Sequence, residues 1–567
     1  MSHNRIRLPK SRFGRTLLSL AVTAAVGFGY FYVTLPALNP HAGEFYSFLG
    51  LLCAVYVVCV FLLSGAPHDN VIRTPKEKLR EWLKFIKSRC LPVGLLFVAV
   101  VVIAAVGNVV SMPLLRAAAY RDLLTVQTGD FASDVAQISF NEIPTLDRTS
   151  AEFLGDRQMG TLSDMVSQFE YSGDSTQINY QGRPVRVAPI AYADLFKWLT
   201  NRGQGLPAYV VVDMVTQEAT VTRLPQGMKY SFSEPLNRNI VRHLRFHYPT
   251  MMFSTPEFEI DESGHPWWIA PRVIKTIGLF GGTDIQGAVL VDAVTGQSQY
   301  YKEVPTWVDT LYVPELIMQQ YDYHGAYING FLNSLFGQRG VTITTEGYNY
   351  IAIDDDVYMY TGVTSVVSDE SNIGFILSNQ RTKETRFYQI AGAKEYSAMD
   401  SAEGQVQQMK YKATFPLLLN IAQQPTYFMA LKDDAALVKM YAMVNVGQYQ
   451  IVATGGTVAE CESNYRQMLL HNDLIDSDDS SLPETASGEI TGVIDDLRSA
   501  VVSGNTVFYL RLRGSDVYYT ISASAQPEAV ILNTGDTVTV RFSEGQGSIL
   551  TASSVEKTAG APAETAE

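Results

Sequence analysis

Cysteine is almost absent: four occur in 567 residues, and Cys53, Cys59 and Cys90 lie in or beside apolar segments. Cys461 stands alone in the body of the chain, which excludes an intrachain disulfide there and any metal framework built from several cysteines. Such a body must be stable through core size. The length permits this and exceeds one ordinary domain. Catalytic signatures are missing as well: there is no Gly-x-Ser-x-Gly elbow, no HExxH and no cysteine set beside a histidine. No cofactor is expected.

Basic charge is in deficit, 43 Lys+Arg against 57 Asp+Glu, and it is unevenly placed. Up to Cys90 there are 12 basic and 4 acidic residues; beyond it, 31 basic and 53 acidic. A basic start thus carries an acidic body, which repels nucleic acid and anionic polymers unless a local patch overrides it.

Three apolar runs, 16–38, 45–63 and 93–112, are long enough to span a bilayer, which takes about 20 helical residues. They hold no Asp, Glu, Lys, Arg or His apart from the edges, which argues against a channel or transporter. Cations stand before the first run (Arg5, Arg7, Lys10, Arg12, Arg15) and between the second and third (Arg73, Lys76, Lys78, Arg80, Lys84, Lys87, Arg89); the loop Asn39–Glu44 has none. Because Lys and Arg near a span stay inside, 1–15 and 65–91 are expected in the cytoplasm and everything after Met112 outside. Leu79, Trp82, Leu83, Phe85 and Ile86 suit a helix lying on the cytoplasmic leaflet.

The segment 113–176 reads as a stalk or helical start of the ectodomain, and strand-and-turn composition begins near Gln177. Self-similarity follows. A corner after a polar strand end recurs in Ile178–Ala188 and Ile260–Ala270, with echoes at Thr345–Ala352 and Ile421–Ala430. A second hairpin follows each, at Val211–Glu218, Leu290–Gln297, Ser378–Glu384 and Val444–Gln448, spaced 66 to 87 residues. An Asp or Asn leaving a strand bonds the next backbone N–H groups, and Gly supplies the positive φ that reverses the chain. About four related α+β modules are expected over 177–455. A helix and acidic linker (456–487), a five-stranded barrel (488–556, with Glu528–Leu532 as one strand) and a disordered tail (557–567) complete the layout.

The Val-Val-Asp-x-x-Thr turn and its copy Leu290-Val291-Asp292-Ala293-Val294-Thr295-Gly296 resemble those of PepSY domains, a resemblance that implies restraint of peptidases or sensing outside the cell. The closing run Gly535–Val540 and the strand spacing resemble an OB-fold. The layout as a whole is similar to uncharacterised multi-span envelope proteins of Gram-positive bacteria.

Site candidates are few. Trp267, Trp268 and Trp307 offer aromatic faces for a glycan or peptide. His243 and His247 share a helical face but lack the glutamate of a metalloprotease, and neither Asp354–Asp356 nor Asp473, Asp476, Asp478 and Asp479 has calcium-loop spacing, so no metal is expected. Gly278–Thr283 is glycine-rich, yet strand residues follow where a phosphate loop needs a helix. The expectation is a membrane-anchored α+β protein without catalytic activity: an extracytoplasmic scaffold of the cell envelope binding a peptide, a glycan, a membrane protein or a second copy of itself, and no nucleic acid. The alternative is an exported wall hydrolase, which demands a cleft with two carboxylates about 5 to 10 Å apart.

Overall fold

The computed structural model describes residues 12–63, 75–135, 143–353, 355–366, 368–475, 487–502, 505–523, 526–543 and 549–557. Three helices are long and apolar enough to cross a membrane: Arg12–Thr34, Gly43–Leu63 and Pro75–Val110. The first ends four residues before its expected limit. Leu35 takes a positive φ of 51° and precedes Pro36, and a residue before proline disfavours the α-region. The surface helix expected in the basic loop is instead the first part of the 36-residue third helix, which runs on through Pro92. Trp82 on that part packs its ring 5.4 Å from Phe61 of the second helix.

The chain after the third helix is no stalk. Helix Pro113–Arg121 follows, and strand Val126–Gly129 then pairs in parallel with Thr385–Tyr388, so the segment is woven into the body. Asp147 caps helix Arg148–Gly160 through the N–H of Ser150 at 2.9 Å, and the first sheet opens at Phe169, earlier than expected.

The body holds four mainly antiparallel sheets, and each contains the same path of two long central strands with short strands beside them. The long pairs are Arg183–Tyr192 with Leu206–Asp213, Pro266–Ile277 with Gly281–Asp292, Asp356–Ser365 with Ser368–Asn379, and Gln424–Lys432 with Val438–Asn445. Their registers agree at one point: Val185 faces Asp213, Trp267 faces Asp292, Tyr358 faces Asn379 and Thr426 faces Asn445. Next to it one hydrogen bond recurs four times, from the N–H groups of Met214, Ala293, Gln380 and Val446 to the carbonyls of Pro184, Pro266, Val357 and Pro425, at 3.0 to 3.1 Å. The third corner lies at the Ile353–Asp356 hairpin, not at the Gly347 echo; Gly347 instead has φ 95° and backs onto the Phe415 ring.

The Asp turn forms as its chemistry dictates. Asp213 Oδ1 accepts the N–H groups of Val215 and Thr216 at 2.8 Å. Asp292 does the same for Val294 and Thr295, and Asn379 for Arg381 and Thr382. The chain then reverses through a positive φ at Gln217, Gly296 and Lys383.

The first two sheets share one apolar core, joining Val187, Val210 and Val212 to Phe258, Trp268 and Val289. The third and fourth meet through Phe375 against Tyr427 (5.9 Å) and Tyr360, whose hydroxyl donates to Pro416 O at 2.8 Å.

A second compact unit runs from Thr457 to Glu567. It contains helix Val458–His471 and the strands Ser487–Val502, Asn505–Leu512, Tyr518–Ser522, Thr537–Ser543 and Ile549–Lys557. These pair in a ring of order first, second, third, fifth, fourth, with a parallel step between third and fifth. The expected strand Glu528–Leu532 is a 3-10 helix, Pro527–Ile531: proline at its start presets a helical φ, and Ala529 is buried in the unit's core. Strand Ile549–Lys557 takes the fifth place. The tail after Lys557 and the linker acids Asp476, Asp478 and Asp479 lie outside the described residues.

Candidate functional site

The hairpin between Pro266–Ile277 and Gly281–Asp292 spans the body from end to end. Its Gly278–Gly282 turn sits on the third membrane helix. Ser111 Oγ accepts the N–H groups of Leu279 and Phe280 at 2.9 and 3.0 Å, and donates to Gly107 O at 2.6 Å. Leu279 O meets His41 Nδ1 at 2.8 Å, and the Phe280 ring lies edge-on to Tyr46 at 5.4 Å. The glycine-rich loop is therefore a turn that docks on the end of the third apolar helix. Gly107 is required for the approach, since a Cβ there would come within 2.5 Å of Leu279.

A second dock lies at the first helix. Arg245 donates from Nε to Leu35 O at 2.9 Å, Leu38 N–H to Pro249 O at 2.8 Å, and the Arg242 guanidinium stacks 4.3 Å over the Tyr32 ring. All these contacts use the ends of the helices that carry the Asn39 loop and Met112. The sheets thus sit opposite the basic segments.

At the other end of the hairpin stand the aromatic candidates, about 35 Å of strand away at about 3.3 Å per residue. Trp267 and Trp307 come together, ring centroids 5.8 Å apart, with His265 5.5 Å from Trp267. Asp261 fixes the group: it accepts Trp267 Nε1–H at 3.1 Å and N–H groups of Ser263 and His265. Burial alone would raise its pKa, and these donors hold it below the usual carboxylate range. Trp268 points to the opposite face, as successive strand residues must, and lies in the core at 1% exposure with Nε1 donating to Tyr230 O. It offers nothing to a ligand. Beside this end, Tyr209 OH donates to Gly264 O at 2.8 Å, joining the tip of the second sheet to the first. A groove of about 420 Å³ on the first sheet is lined by Tyr180, Arg183, Val211, Asp213 and Glu218.

Of the two histidines, His247 is exposed and His243 is not. Their rings lie 4.1 Å apart, and His243 is buried, with Nε2 on Gly296 O at 2.9 Å. Desolvation and the neighbouring His247 push His243 down to about 4. Among the described residues no three His, Cys, Asp or Glu gather as a metal site. Asp356 forms a bidentate pair with Arg381 at 2.7 Å, and Asp354 lies outside the described residues.

Sequence reasoning missed a buried acid pair. Glu259, 0% exposed, accepts the N–H groups of Asp309 and Thr310 at 3.0 and 2.9 Å; Asp309, 2% exposed, accepts the N–H of Asn179 at 2.7 Å. Burial pushes Glu259 up to about 8, with the nearby Glu257 adding to it against the two backbone N–H donors, and burial first and Glu259 second push Asp309 up to about 9, so the pair keeps a proton at neutral pH. Glu259 and Asp309 are 50 residues apart and leave no spacing signature. The pair is sealed from water and ties the 309–310 turn to the first and second sheets.

No family model matches the chain, and no curated protein matches it. Among solved structures, a variant of B. megaterium levansucrase aligns over 76% of this chain and 97% of its own, at 8% identity and a TM-score of 0.17.

Proposed function

We propose that the chain is a membrane-anchored scaffold of the cell envelope, with its N-terminus in the cytoplasm and its sheets outside, that binds a peptide, glycan or membrane-protein partner without catalysis. One observation carries this reading: the sheets are bolted to two membrane helices by directional hydrogen bonds at the ends opposite the basic clusters. Positive charge is retained inside, so that end faces out. The rigid mount holds the Trp267–Trp307 edge and the first-sheet groove at a set height. The four shared registers support reading the sheets as related PepSY-like modules. The ring order with its parallel step supports an OB-like reading of the C-terminal barrel. Glu259 and Asp309 are sealed from any substrate and give a wall hydrolase no support.

The test is photo-crosslinking in cells, with benzoylphenylalanine at Trp307 and at Arg183 in the full chain. A discrete adduct at either position is expected, lost when Trp267 becomes Ala. Full expression with no adduct at either would overturn the binding role. Protease treatment of protoplasts that spares the sheets would overturn the orientation.

A further inference from the structure

Two groups of large apolar side chains stand exposed beside the membrane helices. The first is on the short helix Leu195–Asn201, where Leu195, Phe196 (75% exposed) and Leu199 face outward, together with Leu236. Hydrogen bonds tie it to the end of the first membrane helix. Arg238 Nη1 donates to Arg202 O at 2.8 Å, and the adjacent Asn237 accepts from Tyr32 OH at 3.3 Å. The second is the bulge Ile328–Phe336, with Ile328, Leu332, Leu335 and Phe336 (83% exposed) outward. It hangs from the end of the third helix through a run of rings. Tyr120 meets Tyr323 at 4.8 Å and Tyr327 at 6.5 Å, and Tyr327 meets Phe331 at 6.0 Å. Leu114 and Leu115 of the helix Pro113–Arg121 extend this surface.

We propose that both groups insert into the outer leaflet, so that the body rests on the bilayer through two apolar lips flanking its anchor. This rests on the membrane-anchoring part of the function proposed above. A soluble domain seldom leaves so many large apolar residues together in water, and both groups continue a surface that already leads into the spanning helices. The chemistry at their margins fits an interface. Lys197, Arg202 and Arg238 edge the first lip, and Arg116 and Arg339 the second, long cations that reach headgroups while their stems lie along the acyl boundary. Tyr120, Tyr323 and Tyr327 occupy the level where tyrosine concentrates in membrane proteins. Inserted lips also explain the rigid docks at Ser111 and Leu35, because a body seated on the leaflet cannot swing on its anchor.

The experiment places an environment-sensitive fluorophore on single cysteines in the full-length chain, its four native cysteines replaced by alanine, reconstituted in liposomes containing brominated lipid. The sites are Phe196→Cys, Leu332→Cys, Leu95→Cys on the third helix and Glu262→Cys at the far hairpin tip. Loss of emission to shallow bromine is expected at 196, 332 and 95, and none at 262. Quenching at 95 with none at 196 or 332 overturns the lips and leaves the anchor standing. Absence of quenching at 95 overturns the anchor and the lips with it. If the cysteine-free chain does not reconstitute, a genetically encoded fluorophore at the same four positions of the native chain gives the same readout.

Discussion

Replacing Asp309 with Asn tests whether the buried acid pair holds a proton. Asparagine keeps a carbonyl oxygen where Asp309 receives the Asn179 N–H, and it is a neutral isostere of the protonated acid. Asp309 is raised to about 9 in the fold by burial and by Glu259, against about 4 when unfolded. The folded state therefore binds a proton that the unfolded chain gives up. Stability from this group is complete below the unfolded value and is lost as pH rises toward the folded one, at about 1.4 kcal/mol per pH unit. At pH 5.5 the wild type has already lost about 2 kcal/mol relative to D309N, and between pH 5.5 and 8 it should lose about 3 kcal/mol more. Burial also raises Glu257 and Glu395, which tilts the wild-type curve the same way. His243, held low, acts oppositely, and only below its unfolded value near 6.5. Both contributions cancel in the difference between the two proteins. Urea unfolding of the full chain in detergent, followed by the fluorescence of Trp267, Trp268 and Trp307, supplies that difference at each pH. A difference that stays flat from pH 5.5 to 8 would refute the retained proton.

Three further outcomes follow from single contacts. Ser111→Ala leaves the N–H groups of Leu279 and Phe280 without their acceptor and should cost about 1–3 kcal/mol. Hydrogen exchange should accelerate at those two amides while the distal Trp267 strand keeps its protection. Gly296→Ala should destabilise by about 3 kcal/mol, since its φ is +77° and a Cβ would lie 2.1 Å from Tyr230 Cζ; thermal melts read this directly. In the C-terminal unit, Arg466→Met removes the 2.7 Å cationic partner of the buried Glu462, whose carboxyl burial already raises, and should cost about 3–5 kcal/mol. Adding Glu462→Gln should restore most of that loss in a double-mutant cycle.

The local chemistry of the fold was legible and its assembly was not. The Asp213, Asp292 and Asn379 turns could be read because each is closed by bonds within four residues of itself. The three long apolar helices were plain from length alone. The amphipathic stretch around Trp82 does not show where its helix ends, and that helix runs on through Pro92 into the apolar span. Trp267 and Trp268 are neighbours in sequence but not in space, since strand residues alternate faces and Trp268 faces the core. The docking role of Gly278–Gly282 depends on Ser111, some 168 residues earlier, and no local pattern encodes such a partner.

The imperfect glycine of the repeated turn has a physical cause of the same kind. A non-glycine residue at positive φ costs about 1–2 kcal/mol, so Gln217 and Lys383 must return that elsewhere. Gln217 Nε2 donates to Tyr441 OH at 2.8 Å, tying the first sheet to the fourth. Lys383 Nζ pairs with Asp284 at 2.7 Å and lies 5.4 Å over the Tyr312 ring, tying the third sheet to the second. Only at Gly296, roofed by Tyr230, is there no room for a side chain to reach out. The two turns that depart from the motif are thus the two that cross between the sheet pairs. The side chains at these two turns add to the bonds that join the first and second sheets to the third and fourth, beside the N–H groups of Leu311 and Tyr312 on Gln380 O and the Lys432–Asp147 pair.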